Sequence, residues 1–152
     1  MTNRVIRYQG AIIRNSRLLL LKHREHASGR SYWVIPGGGR EENESEEACV
    51  QREMLEETNL TVTVERLLLD ELAEPGRFYQ RYKTYLCYAN GGEASPGYEP
   101  EPEAAQVYAI VEAAWFDLLH PETWNLEMTK DPITFQLVKK IQALLEYPLV
   151  GS

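Results

Sequence analysis

The sequence predicts an α+β domain in which β-sheet is sandwiched between helices, and three observations carry that reading. Six segments (5–13, 18–21, 32–35, 62–72, 78–89 and 107–118) are rich in β-branched, aromatic or continuously apolar residues, as strands are. Two further segments, 45–58 and the stretch led by Pro132, have the composition and boundaries of helices. The 152 residues contain no repeat and no second-domain break, so one domain spanning 1–152 is expected.

Taken in order, residues 5–13 and 18–21 flank Asn15-Ser16 and read as a β-hairpin. The second arm, four consecutive leucines, is expected to be buried on both faces. Residues 22–30 are polar and hold several cations, which predicts a loop. Tyr32-Trp33-Val34-Ile35 is a short strand stopped by Pro36 and three glycines. The segment 45–58 contains neither Gly nor Pro, and Ser45 is its expected N-cap, with Asn43 the alternative. Residues 62–72 form a strand broken at Glu74-Pro75-Gly76, and 78–89 alternates like a half-exposed strand. Residues 90–102, with three glycines, three prolines and several glutamates, form a loop; 107–118 resumes strand character. Pro132 suits a first helical turn, and Ile133, Leu137, Val138, Ile141, Leu144 and Leu145 make one broad apolar stripe behind it.

Composition excludes several classes. A net charge of −7 argues against a nucleic-acid-coating protein, which needs a basic face. Cys49 and Cys87 give no disulfide framework and fit a reducing cytoplasm. The opening residues lack a signal-peptide core, and no apolar run reaches membrane-spanning length. A cytoplasmic protein is expected.

The acid is concentrated. Residues 41–57 hold eight glutamates against Arg52 alone, a local charge of −7 that equals the net charge of the whole chain. At about 100° per residue, Glu56 and Glu57 fall about 60° and 40° to either side of Glu53, with Glu46 about 20° away. Like charges so placed repel, so the helix gains nothing from them unless a cation is present. The apolar residues of this helix make no clean stripe. The glutamate count by itself allows either a solvated acidic helix or a cation site.

The order of the residues goes further. Gly38, five residues, Glu44, seven residues, then Arg52-Glu53-Met54-Leu55-Glu56-Glu57-Thr58-Asn59-Leu60 resembles the Nudix box, and it fills every defined position except that Asn59 replaces Gly. Asn tolerates the left-handed conformation a helix end requires, and the same holds for Asn43 before Glu44. Neither change removes a ligand. The resemblance implies a Nudix-type α/β/α sandwich with a mixed sheet between helices. It implies hydrolysis of a diphosphate bond in a nucleoside diphosphate-linked substrate, with Mg²⁺ or Mn²⁺ neutralising phosphate charge.

Carried over position by position, the resemblance makes Glu56 and Glu57 metal ligands and Glu53 a ligand or the general base. Arg52 orients Glu53, Glu44 supports the helix start, and a carbonyl of the glycine run, at Gly38, joins the ligands. Glu99, Glu101, Glu103 and Glu112 are the candidates for an additional acid outside the box. For substrate contact, Arg24, Arg77, Tyr79 and Trp115 are the candidates, with Phe78, Tyr82, Tyr85, His23 and Arg30 of the same residue types; packing and surface charge are the competing roles for all of them. Within the family, the shortness of the chain leans towards MutT-type nucleoside triphosphate hydrolysis, with ADP-ribose or nucleotide-sugar hydrolysis as the alternative; Glu74-Pro75-Gly76 stands where ADP-ribose pyrophosphatases of the family carry Ser-Pro-Gly. A nucleotide-sensing domain without catalysis is the rival of another class. A small nucleotide is the expected partner, with no nucleic acid or membrane, and a homodimer is compatible because many relatives pair.

Overall fold

The computed structural model describes residues 3–99 and 102–147, with side chains from Val5 onward. β1 (Asn3–Arg14) and β2 (Arg17–Glu25) form the predicted hairpin, turned by Asn15 and Ser16 at φ 52° and 63°. Two successive left-handed residues match the twist of the flanking strands. The arms stay paired only beside the turn, at Ile13↔Leu18 and Arg14↔Arg17. Beyond it they part. β1 pairs antiparallel with β4 (Gly37–Arg40) and parallel with β6 (Arg81–Ala89), and β6 pairs with β5 (Val62–Leu72). β2 pairs antiparallel with β3 (Ser31–Val34) and β7 (Tyr108–Asp117). The sheet is mixed, in the order β3-β2-β1-β6-β5, with β4 and β7 branching from β1 and β2.

Both faces are covered. Ala11, Ile13, Leu18 and Leu20 pack with Trp33, Phe116, Val138 and Ile141 beneath α4 (Pro132–Leu144). Ile12 and Leu19, from the alternate positions, pack with Cys49, Val50 and Met54 of α1 (Glu46–Thr58). The leucine run of β2 is therefore buried on both sides, as its unbroken apolar pattern predicts. Among the described residues there are also two short helices, α2 (Pro102–Ala105) and α3 (Leu126–Thr129), and a 3-10 turn at Pro121–Thr123. None of the helices described is long and apolar enough to cross a membrane.

Several boundaries differ from the sequence reading. The polar stretch expected as a loop is strand as far as Glu25, because β3 and β7 pair with it on either side. The glycine run is a strand on β1 rather than a plain turn. Residues 78–80 precede β6, and Thr84 to Cys87 in that strand are buried without alternation because α1 covers one face and the larger core the other. Pro102–Ala105 is helical within the expected loop. In α4, Ile133 and Leu144 are exposed, so the buried stripe is narrower than predicted.

Candidate active site

α1 is fixed at both ends before its acids are placed. The Ser45 hydroxyl accepts from Ala48 N at 3.1 Å, which makes it the N-cap. Asn43 and Asn59 both take left-handed conformations, φ 64° and 63°, the geometry that Asn in place of Gly must supply. Past Asn59, the segment 95–98 returns to the helix end. Ser95, Gly97 and Tyr98 donate their backbone N–H groups to the carbonyls of Thr58, Glu57 and Glu56 at 3.0, 2.8 and 3.1 Å. A Cβ on Gly97 would lie 1.9 Å from Glu56 O, so only glycine allows the approach.

Arg52 organises the exposed edge of the acid cluster. Its Nε and Nη2 donate to the Glu44 carboxylate at 2.7 and 2.9 Å, Nη1 reaches Glu53 Oε1 at 3.1 Å and Glu56 Oε2 at 3.2 Å, and Nη2 also reaches Gly39 O at 3.1 Å. That fork holds Glu44 below the usual carboxylate range, its hydrogen bonds outweighing burial. Glu46, close to Glu53 in angle, sits nearly two turns earlier and points away, hydrogen-bonded to Lys83 at 3.2 Å and to the Tyr85 hydroxyl.

Glu53 and Glu57 are almost fully buried, 0% and 1% exposed, and lie within hydrogen-bonding reach of each other. Glu57 Oε1 accepts from Gly37 N at 3.2 Å. The other oxygen of each carboxyl, Glu53 Oε2 and Glu57 Oε2, is buried with no hydrogen-bond partner. Burial pushes both groups above the usual carboxylate range; Glu53 raises Glu57 further, whereas Glu57 and Arg52 offset part of the rise at Glu53. Such a pair must share a proton or hold a cation. Among the described residues no three acidic, histidine or cysteine side chains converge as a preformed cage. Two bare carboxylate oxygens nonetheless fit Mg²⁺, which binds through few carboxylates and leaves its other places to water and phosphate. Gly38 lies directly against Glu53: a Cβ there would stand 2.4 Å from Oε1.

Gly37 and Gly38, which touch Glu57 and Glu53, also line a cleft of about 630 Å³, together with residues of β1, β2, β3 and β7, the 71–82 region and α4. Arg7 sits in it, oriented by Ile35 O (2.8 Å from Nη2) and by Gln9 Oε1 (3.2 Å from Nε); Gln9 is itself held by Thr84 Oγ1 at 2.8 Å. Burial alone would weaken the Arg7 charge, but Tyr79, Glu57, Tyr108 and Glu53 around it more than restore it. Glu99 lines the same cleft, accepts from the Tyr108 hydroxyl at 2.5 Å, and raises the proton affinity of Glu53, Glu56 and Glu57.

The sequence candidates divide accordingly. Glu44, Arg52, Glu53, Glu56, Glu57 and Gly38 come together, and Glu99, Glu103, Arg77 and Tyr79 line the cleft. Arg24 does not. Strand alternation turns it outward, where its Nε donates to Ser31 Oγ at 3.3 Å, and its neighbour His23 faces the cleft instead. Trp115 packs against the core under α1, with the Arg14 guanidinium 5.3 Å from its ring centroid. Glu112 is exposed on β7, opposite Lys22. Glu101 lies outside the described residues. Arg7, Gln9, Tyr32 and Tyr108 escaped the sequence reading. The signal for the first two was present: polar side chains at alternate positions of β1, on the face that then continues through Ala11 and Ile13.

Comparison with known proteins bears on these features. The NUDIX domain family model matches residues 6–137. A MutT NUDIX hydrolase from Burkholderia pseudomallei superposes with a TM-score of 0.60 at 26% identity, over 90% of this chain and 96% of that one. An ADP-ribose pyrophosphatase from Streptococcus suis gives 0.65 at 20% identity over 97% and 96% of the two chains. A UDP-X diphosphatase gives 0.66 at 18% identity over 96% of this chain, which spans only 64% of that longer one.

Proposed function

This chain belongs to the Nudix hydrolase family, and from that premise we propose that it hydrolyses the diphosphate bond of a nucleoside diphosphate-linked substrate with the help of Mg²⁺ or Mn²⁺. The observation that carries the proposal is the pair of buried, unpartnered oxygens on Glu53 and Glu57, set beside Arg52 and behind Gly37 and Gly38, which line a cleft that holds an oriented arginine. Glu53, Glu56 and Glu57 are the residues that would hold the ion, with the Gly38 backbone beside them. A divalent ion at that place supplies charge neutralisation on the phosphate oxygens and lowers the pKa of water bound to it.

The chain's own groups account for the rest. Arg7 binds phosphate with a guanidinium already fixed on two sides, so little orientational freedom is lost when it does. Where Glu53 is not itself a ligand, its burial, which raises its proton affinity, suits it to accept a proton from the attacking water. Arg52 occupies Glu53 Oε1 and Glu56 Oε2, so the second oxygen of each carboxylate is the one that would be left for an ion. Glu99, held by Tyr108, is the additional acid closest in chemistry to the cluster. A sensing domain without catalysis has no need of the complete set of Glu44, Glu53, Glu56 and Glu57 with its arginine fork.

The test is a substrate panel of nucleoside triphosphates, ADP-ribose, dinucleoside polyphosphates and nucleoside diphosphate sugars, with products resolved by ³¹P NMR. Nucleoside monophosphate release that requires Mg²⁺ or Mn²⁺, and that falls by orders of magnitude in Glu53→Gln, is expected. No turnover across the panel with either ion overturns the proposal in favour of nucleotide sensing.

A further inference from the structure

The cleft holds two separate groups of flat side chains. One comes from the residues leading into β6: Phe78 and Tyr79 meet edge to face at 5.1 Å, and Tyr79 meets Tyr82 at 6.2 Å. The other is built across β2, β3 and β7. His23 stacks on Tyr108 with ring centroids 4.0 Å apart and planes 12° apart, and Tyr32 meets His23 edge-on at 5.6 Å. All six line the cleft, but His23 and Tyr79 are themselves buried, which leaves Phe78 and Tyr82 on one side and Tyr32 and Tyr108 on the other to meet a ligand. In the strand order β1 stands between β2 and β6, so Arg7 lies between the two groups; its guanidinium is 5.8 Å from the Tyr79 ring centroid. Phe78 is 64% exposed, an aromatic surface with no part in the core.

The charges narrow the ligand further. Arg7, Arg77 and Lys140 are the cations lining the cleft among the described residues, against Glu71, Glu74, Glu99 and Glu103, and Lys140 is committed to Glu71 at 2.5 Å. His23 adds no charge: burial and the neighbouring Arg7 push it down to about 3, so its ring is neutral at pH 7. Beyond a divalent ion at the glutamates, a third phosphate would find only Arg7 and Arg77 to meet its added charge, among four carboxylates lining the same cleft. A second ring would find a second aromatic surface.

We infer that the substrate is a nucleoside diphosphate whose far phosphate carries another ring, a sugar or a second nucleoside, rather than a nucleoside triphosphate, with Phe78 and Tyr82, next to the buried Tyr79, and Tyr32 and Tyr108, next to the buried His23, as the two ring platforms on either side of Arg7. The inference rests on the diphosphate-hydrolase reading and adds the substrate class to it. Stacking on one aromatic platform is worth roughly 5- to 150-fold in affinity.

The experiment compares a nucleoside triphosphate with a nucleoside diphosphate sugar and a dinucleoside diphosphate bearing the same base, in the wild-type protein and in Phe78→Ala and Tyr32→Ala. The two-ringed diphosphates are expected to have at least about tenfold higher kcat/KM, carried by KM. One variant should raise KM for every compound, marking the platform of the base. The other should raise it for the two-ringed compounds alone, marking the platform of the second ring. Phe78→Tyr and Tyr32→Phe should restore the wild-type values, and native melting temperatures exclude misfolding as the cause. Preference for the triphosphate, or equal KM effects of both variants on all compounds, overturns the inference and leaves diphosphate hydrolysis standing. Should none of the compounds be hydrolysed, the parent reading falls, and calorimetric titration of the same compounds decides: tighter binding of the two-ringed ones keeps the platforms, and the reverse order removes them.

Discussion

Replacing Gly38 by alanine tests how finely the acid cluster is placed. The added Cβ would stand 2.4 Å from Glu53 Oε1, 2.6 Å from its Cδ and 2.8 Å from Oε2, whereas ordinary contact begins at 3.4 Å. The Glu53 carboxyl must therefore retreat by about 1 Å, and a misplacement of that size costs on the order of 100-fold in turnover. The retreat is resisted, because Oε1 is held by Arg52 and the whole side chain is buried. Overpacking of this kind costs about 1–3 kcal/mol of stability. The assay is kcat on the best-hydrolysed member of the substrate panel, with the melting temperature followed in parallel. A folded Gly38→Ala protein that turns over within about twofold of wild type would refute the reasoning, since the carboxyl would then tolerate displacement.

Other expectations follow from the same network. Arg52→Gln leaves Glu44, Glu53 and Glu56 without their shared partner and should cost about 1–3 kcal/mol in a denaturant titration, with Arg52→Lys intermediate because it cannot reproduce the two-pronged contact with Glu44. Gly97→Ala should free the 95–98 segment from the end of α1 and lower the melting temperature, and faster amide exchange at residues 95, 97 and 98 would show it. Stability should also depend on pH in a defined sense. Burial raises the pKa of Glu53 and Glu57 in the folded state, so the fold binds more protons than the unfolded chain. The stability contributed by these two is present at low pH and is lost as pH climbs past the ordinary carboxylate range towards neutrality. Melting curves from pH 5 to 8 should show that loss without divalent ion and its reversal with Mg²⁺, and Glu57→Gln should flatten both.

Much of this is legible in the residues themselves. Four consecutive leucines announce a strand buried on both faces, and the box residues from Gly38 to Glu57 do meet around one buried pair. Asn59 can stand in for glycine because its short polar side chain tolerates the left-handed region, and its φ of 63° agrees with that reason. The site's other half is less legible because its residues are brought together by pairing between distant strands. Arg7 and Tyr108 lie about a hundred positions apart, and only the branching of β2 between β3 and β7 places His23 and Tyr108 face to face. Period-2 alternation chooses between neighbours that composition cannot separate: it turns Arg24 out and His23 in. Glu99 depends on a feature no pattern rule flags, the glycine at 97 that lets its loop close on the helix end.

A divalent-cation site at the bare oxygens of Glu53 and Glu57 is the centre of the proposed mechanism. Titration of Mn²⁺ followed by electron paramagnetic resonance tests it without any assumption about substrate. Wild-type protein should take up Mn²⁺ saturably below millimolar concentration, and a folded Glu57→Gln variant should bind it at least about tenfold more weakly. Equal uptake by the two proteins, or none by either, would contradict the account.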